Sequence, residues 1–266
     1  MDKTISAVQQ EFLLNHRKKE KIVLQLRILI LIVFFAAWEI SARTGVLDAF
    51  IFSSPSRILA CIVRMAADGS LFYHTGITIA ETIISFLLVT VIGLFTAVLL
   101  WTNQSLSKIL EPYLVVLNSL PKTALAPVLI VWLGNNIKTI IVAAVSVAVF
   151  GTILTIYTGF QSVDPEKIKL IYTLRGTRRD VLFKVILPST VPLIISTMKV
   201  NIGLSLVGVI IGEFLAANAG LGYLIIYGSQ VFKLDWVLMS ILLLCILAGL
   251  LYFITGRLEK RYGRVK

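Results

Sequence analysis

Along this chain long apolar runs alternate with short polar connections, and the length of each run decides what it can do. A hydrocarbon core about 30 Å thick and a helical rise of about 1.5 Å per residue put the spanning length near 20 apolar residues. Ile83 to Trp101 and Trp236 to Gly256 meet it without a charge. Thr139 to Val163 is long enough to span with tilt, and carries Gly151 and Gly159 where neighbouring helices can approach closely. Three further runs are interrupted by isolated charges: Ile28 to Ala42 by Glu39, Tyr113 to Leu133 by Lys122, and Leu187 to Phe214 by Lys199 and Glu213. The pattern predicts an all-α integral membrane protein with about six transmembrane helices, over roughly 24–43, 81–102, 113–133, 138–160, 189–214 and 236–256. The membrane domain is then 24–258, between a flexible polar tail over 1–23 and a short C-terminal tail over 259–266.

The first run follows a 27-residue charged stretch and no small-residue cleavage pattern succeeds it, so it reads as an anchor that stays. Val46 to Ala80 is too polar to span. Pro55, Ser56 and the apolar set Ile58, Leu59, Ile62 and Met65 predict a short amphipathic helix there, lying along the outer surface.

Charge sets the orientation, because Lys and Arg accumulate on the cytoplasmic side. Of the 25 Lys and Arg residues, 18 fall on one side: in the N-terminal tail, at Lys108, between Lys167 and Lys184, and at the C-terminus. The other side receives Arg43, Arg57, Arg64, Lys138 and Lys233, so an even number of spans puts both termini in the cytoplasm.

Composition excludes the soluble classes. With 58% hydrophobic and 15% charged residues and a mean hydropathy of +0.92, the apolar surface exceeds what one water-soluble core can bury. The same balance excludes ordinary disorder. A net charge of +11 points to lipid headgroups and not to nucleic acid, because the cations flank apolar runs and do not form an aromatic-interleaved patch. Cys61 and Cys245 have no metal-type spacing, and neither a disulfide nor a metal site is expected. His16 and His74 are isolated and read as ordinary solvated histidines; Trp38, Trp101, Trp132 and Trp236 fall near span ends and read as interfacial anchors.

The connection from Gly159 to Pro188 carries the most information. Asp164 caps a helix that Pro165 opens and Glu166 complements, and Ile168, Ile171 and Leu174 line one side. It is expected to end near Arg175, with Gly176 supplying the left-handed residue. Thr177 and Asp180 then start a second helix with Val181, Leu182, Val185 and Ile186 on its apolar face before Pro188. One reading is an amphipathic loop on the lipid surface; the other is a docking element for a cytoplasmic partner. Two short helices with Glu166 and Asp180 among their cations favour a protein surface over lipid.

Here the sequence resembles the permease subunits of binding-protein-dependent ABC importers, nearest to the nitrate/sulfonate/taurine branch. The resemblance covers nearly the whole chain after the tail. Its carriers are Asp164-Pro165-Glu166, Arg175-Gly176-Thr177-Arg178-Arg179 and Phe183-Lys184-Val185-Ile186-Leu187-Pro188, matching the family loop of Glu-Ala-Ala, three residues, Gly, nine residues and Ile-x-Leu-Pro. Leu120-Pro121-Lys122, Ala126-Pro127, Trp132-Leu133-Gly134, Gly212-Glu213-Phe214 and Gly220-Leu221-Gly222-Tyr223-Leu224-Ile225 extend the match. Two departures stand out. Lys169-Leu170-Ile171 replaces Glu-Ala-Ala, and Gly176 lies twelve residues before Pro188 instead of thirteen, leaving Arg175 at the usual glycine position.

The resemblance implies a type I ABC importer permease fold with a cytoplasmic coupling-helix loop, in a bacterial-type cytoplasmic membrane. It makes Asp164, Glu166, Arg175, Gly176, Thr177, Asp180, Phe183 and Pro188 the ATPase-coupling residues. It also implies ABC ATPase subunits, an extracytoplasmic solute-binding protein and a second permease copy as partners, with ATP and Mg on the ATPase. In agreement, no Gly-x-x-x-x-Gly-Lys-Ser/Thr phosphate loop occurs in the chain, so no cofactor is expected on it.

Ionisable groups at membrane depth are costly and mark function. Lys122 and Lys199 each lie about ten residues, roughly 15 Å, into a helix entering from the cytoplasm. They would suit an anion such as a sulfonate, taurine or nitrate; each equally suits a buried glutamate or snorkelling to the interface. Pro121 and Pro127 predict a kink or break in the third span, and Gly220 and Gly222 a flexible element near the outside. With Asn201 and Glu213 these form the candidate solute path or gate.

An intramembrane enzyme would need a nucleophile with a base or a metal cluster at depth, and Gly-x-Ser-x-Gly, His-Glu-x-x-His and an intramembrane histidine are all absent from the sequence. The competing reading is an ATPase-independent channel or secondary carrier. The discriminator is whether an ATPase binds at Glu166 to Pro188.

Overall fold

A computed structural model of the chain describes residues 7–262; the ends of the two tails, 1–6 and 263–266, lie outside the described residues. It divides into two compact units, Met1–Val63 and Arg64–Lys266.

The first unit is led by α1 (Ala7–Arg43), which carries the spanning stretch Lys21–Arg43 and continues as helix back through most of the expected tail. The side chain of His16 lies outside those described. Ile30, Phe34 and their neighbours face outward, as on a helix whose solvent is lipid. Glu39, the charge inside the first run, accepts hydrogen bonds from Arg43 Nε (2.6 Å), Ser56 N (3.0 Å) and Ser56 Oγ (2.8 Å). It thereby ties the end of α1 to the start of α3 (Pro55–Ala67), across the short α2 (Ala49–Phe52). The expected amphipathic helix is α3: Ile58, Cys61 and Met65 are buried, whereas Leu59 points outward.

The second unit holds α4 (Ser70–Thr102), α5 (Gln104–Ser119), α6 (Lys122–Leu133), α7 (Ile137–Gln161), α8 (Pro165–Thr173), α9 (Arg178–Val181), α10 (Leu187–Ala216), α11 (Leu221–Gln230) and α12 (Leu234–Tyr262). With α1, five helices among the described residues are long and apolar enough to cross a membrane, six if α5 and α6 form one bent span. At its centre α4, α7 and α10 pack against one another. Small residues permit the approach: a Cβ at Gly208 would sit 2.6 Å from the Ala144 Cα, and one at Gly212 2.9 Å from the Ile140 Cα. Gly93 is similarly closed by Thr152, and Gly151 and Gly159, expected contact points, face Asn118 and Leu193.

The third span is not one helix. Pro121 breaks it between α5 and α6, which meet at 90°, while Pro127 is accommodated inside α6. Lys122 Nζ donates to the carbonyls of Leu117 (2.7 Å), Asn118 (2.6 Å) and Leu120 (3.0 Å), so the ammonium caps the bare carbonyl end of α5.

Candidate coupling segment and solute path

The connection from α7 to α10 is built as its punctuation suggests. Asp164 Oδ1 accepts from Glu166 N–H (2.9 Å) and Pro165 opens α8. The helix closes with Arg175 N–H donating to Tyr172 O (2.9 Å) and Gly176 N–H to Ile171 O (2.8 Å), the paired bonds of a Schellman ending. The left-handed residue, however, is Arg175, at φ +58°, and not Gly176. Gly176 is needed for closeness: a Cβ there would meet the Ile171 carbonyl oxygen at 2.8 Å. The arginine thus bears the backbone conformation that a glycine at its position would adopt freely.

Thr177 and Asp180 form a reciprocal capping box, Thr177 N–H donating to Asp180 Oδ2 (2.8 Å) and Asp180 N–H to Thr177 Oγ1 (3.3 Å). Lys184 Nζ lies 2.7 Å from Asp180 Oδ1. The Lys184 ammonium, with the hydroxyl and amide of Thr177, holds the exposed Asp180 carboxyl well below the usual carboxylate range. The second helix does not remain separate. It widens into a π turn over Leu182–Ile186 and runs on as α10, with Pro188, which has no N–H to give, in the first turn after it.

Val181, Leu182, Val185 and Ile186 are buried in one apolar core with Leu100 of α4 and Ile156 and Phe160 of α7. Arg178 fastens the segment to the end of α4, donating to Trp101 O (2.8 Å) with its guanidinium 5.4 Å from the Trp101 ring centre. Ile168 and Ile171 pack inward as expected. Leu174 does not: at 70% exposure it joins Leu170, Tyr172 and Phe183 (65%) on the open side of the segment.

At the far end of the same helices lies a group that the sequence only half discloses. Glu213 of α10 is 1% exposed and accepts from Thr78 Oγ1 of α4 (2.7 Å) and from Gly222 N–H at the start of α11 (2.5 Å). Thr78 Oγ1 in turn accepts from Leu221 N–H (2.8 Å), and His74 Nδ1 from Gly220 N–H (3.0 Å). Glu81, also buried, lies beside Glu213, and its Oε2 has no hydrogen-bond partner among the described residues. Gly220 (φ +116°) and Gly222 are glycines because a Cβ at either would run into the Glu213 carboxyl. The expected flexible element is therefore pinned at Gly220, Leu221 and Gly222. His74 is a half-buried acceptor stacked on Tyr223, and the expectation of an ordinary solvated histidine is corrected.

Nor do the remaining path residues come together as an anion site. Lys122 spends its donors on α5, and Lys199 lies 4.5 Å above the Tyr252 ring of α12. Asn201 instead faces α7, where its amide is hydrogen-bonded to Thr152 Oγ1 at 3.0 Å beside a groove between α7 and α10. The sequence does not mark His74, Thr78, Glu81 and Thr152 as site residues, because a polar residue in or beside an apolar run gives no signal of its partner.

Several helices of spanning length, three of them closely packed together, with a capped helical segment seated at one end, define a polytopic membrane protein. Residues 89–264 match the family of binding-protein-dependent transport system inner membrane components, and the chain belongs to that family. It is 29% identical over 195 residues to the formylaminopyrimidine transport permease protein of Halalkalibacterium halodurans, covering 73% of this chain and 77% of the relative. It is 23% identical over 237 residues to the taurine transport system permease protein of Escherichia coli, covering 87% and 86%. Other relatives are named for aliphatic sulfonates, nitrate and riboflavin. In fold, it is similar to a chain of a bacterial ABC transporter involved in the import of the acidic polysaccharide alginate, with a TM-score of 0.64 at 14% identity, covering 94% of this chain and 99% of that one. The fold is that of the type I ABC importer permeases.

Proposed function

We propose that this chain is the permease subunit of an ATP-driven importer, carrying a small solute across a bacterial-type cytoplasmic membrane with both termini inside. It works as a homodimer on two separate ATPase subunits, which bind and hydrolyse ATP with Mg, and receives solute from an extracytoplasmic binding protein. The observation that carries this is the α8–α9 segment. Its α9 end is seated on α4 and α7, and with the π turn that follows it presents Leu170, Tyr172, Leu174 and Phe183 outward among cations. Apolar side chains on a fixed, short, solvent-facing helix are what a protein partner covers. The relatives, named for taurine, sulfonates, nitrate, formylaminopyrimidine and riboflavin, support a small polar solute as cargo.

Co-purification of the full chain with its candidate ATPase subunit tests the reading. Leu174→Glu and Phe183→Glu alter only exposed side chains and are expected to abolish the complex while membrane insertion is kept. Gly176→Pro, which removes the N–H given to Ile171, is expected to do the same through the turn. An ATPase that associates equally with all three variants would return an ATPase-independent channel or carrier to the front.

A further inference from the structure

Asn201 stands at the midpoint of α10, fourteen residues or about 21 Å from Leu187 in a 30-residue helix. It is 3% exposed, and its amide has one side-chain neighbour, Thr152 Oγ1 at 3.0 Å, whose single proton goes to Ala148 O at 2.7 Å, so one half of the amide is left without a partner. A buried amide left half satisfied in a spanning helix is uncommon and asks for an occupant. That amide borders a groove of about 280 Å³, lined by Thr152, Thr155, Ser196 and Thr197 among others. Thr155 and Leu193 also border a second groove, which continues past Thr158 to Ser162 at the cytoplasmic end of α7. The two form one hydroxyl-lined furrow about 15 Å long, from mid-membrane to the coupling end.

Among the described residues, no Lys, Arg, His, Asp or Glu lines either groove. An anion placed there would lose its water without gaining a cation, whereas an uncharged solute with donors and acceptors on its edge finds an amide and several hydroxyls. We propose that the α7–α10 furrow is the cytoplasmic half of the solute path and accepts an uncharged, hydrogen-bonding solute, which pairs with the free half of the Asn201 amide. This rests on the permease reading above and narrows its cargo, away from the sulfonates and nitrate toward small neutral heterocycles.

The test uses the full chain with Cys61 and Cys245 replaced by alanine, in inside-out membrane vesicles. Thr155→Cys, Thr158→Cys and Ser196→Cys are each treated with a membrane-impermeant maleimide, alone or with an uncharged aminopyrimidine or taurine. Phe95→Cys, on an outward position of α4, is the reference. The three furrow cysteines are expected to react about tenfold faster than the reference, to be protected by the aminopyrimidine and not by taurine. Asn201→Leu should weaken that protection by about tenfold, the loss of one hydrogen bond, without slowing the labelling itself. Labelling no faster than the reference would overturn the path. Protection by taurine instead, by neither solute, or undiminished in Asn201→Leu would overturn the cargo. The ATPase co-purification reads only α8–α9, so its failure is separable from all of these.

Discussion

Gly208 and Gly203 lie five residues apart on α10, and the same substitution should act on them in opposite directions. A Cβ at Gly208 would lie 2.6 Å from the Ala144 Cα, 3.0 Å from its carbonyl oxygen and 3.2 Å from its carbonyl carbon. Unstrained carbon contacts need about 3.5–4.0 Å, and all three atoms are backbone, so no rotamer change relieves the clash. α7 and α10 must separate by about 1 Å, and overpacking of this kind costs about 1–3 kcal/mol. At Gly203 a Cβ would meet nothing within 4 Å. Alanine there brings only its better helix propensity, up to about 1 kcal/mol, a gain that Gly208→Ala receives equally. The difference between the variants is thus the overpacking alone. At about 2–4 °C per kcal/mol for a chain of this size, Gly208→Ala should melt about 2–12 °C below Gly203→Ala. Thermal unfolding of the purified full chain in detergent, followed by size-exclusion recovery, measures this directly. Equal midpoints, or a lower one for Gly203→Ala, would refute the close-packed α7–α10 seam.

Arg175→Gly should stabilise the α8 ending by about 1 kcal/mol, since it removes the left-handed penalty of a side-chain-bearing residue; slower hydrogen exchange at Gly176 N–H reads it. Arg178→Ala loses both the Trp101 carbonyl bond and the ring contact, and should loosen α9 from α4 by about 1–2 kcal/mol, seen as faster exchange over 177–182 with α12 unaffected. The Asp180 carboxyl titrates below its ordinary 3.8 when folded, so the support it gives the capping box is complete above that pH and fades as pH falls through the lowered value. Exchange protection at Asp180 N–H should accordingly be flat from pH 8 to pH 5 after correction for intrinsic rates, and Asp180→Asn should weaken it throughout.

What the sequence disclosed were features decided locally. The spans follow from apolar length, α8 from Asp164 and Pro165, and the second turn from Thr177 and Asp180. What it concealed depends on which residues meet. Gly176 looked like the left-handed residue because glycine accepts that conformation most easily, but the register of Ile171 and Tyr172 puts Arg175 there. The one-residue departure from the family spacing falls at this same turn. Lys122 and Lys199 look alike by depth, yet the break at Pro121 turns one into a helix cap while Tyr252 receives the other. Glu213 was visible as an intramembrane charge, but its partners Thr78 and Gly222 are 135 and 9 residues away, and only packing brings all three together.

The core that seats α9 is the same core that joins α4 to α7, with Val181 and Ile186 at zero exposure inside it. The turn that carries α9 into α10 is thus closed by dense packing and not by a loose loop, since a protein interior is as tightly packed as a crystal. Whatever touches α9 from outside is therefore one layer of side chains away from α4 and α7.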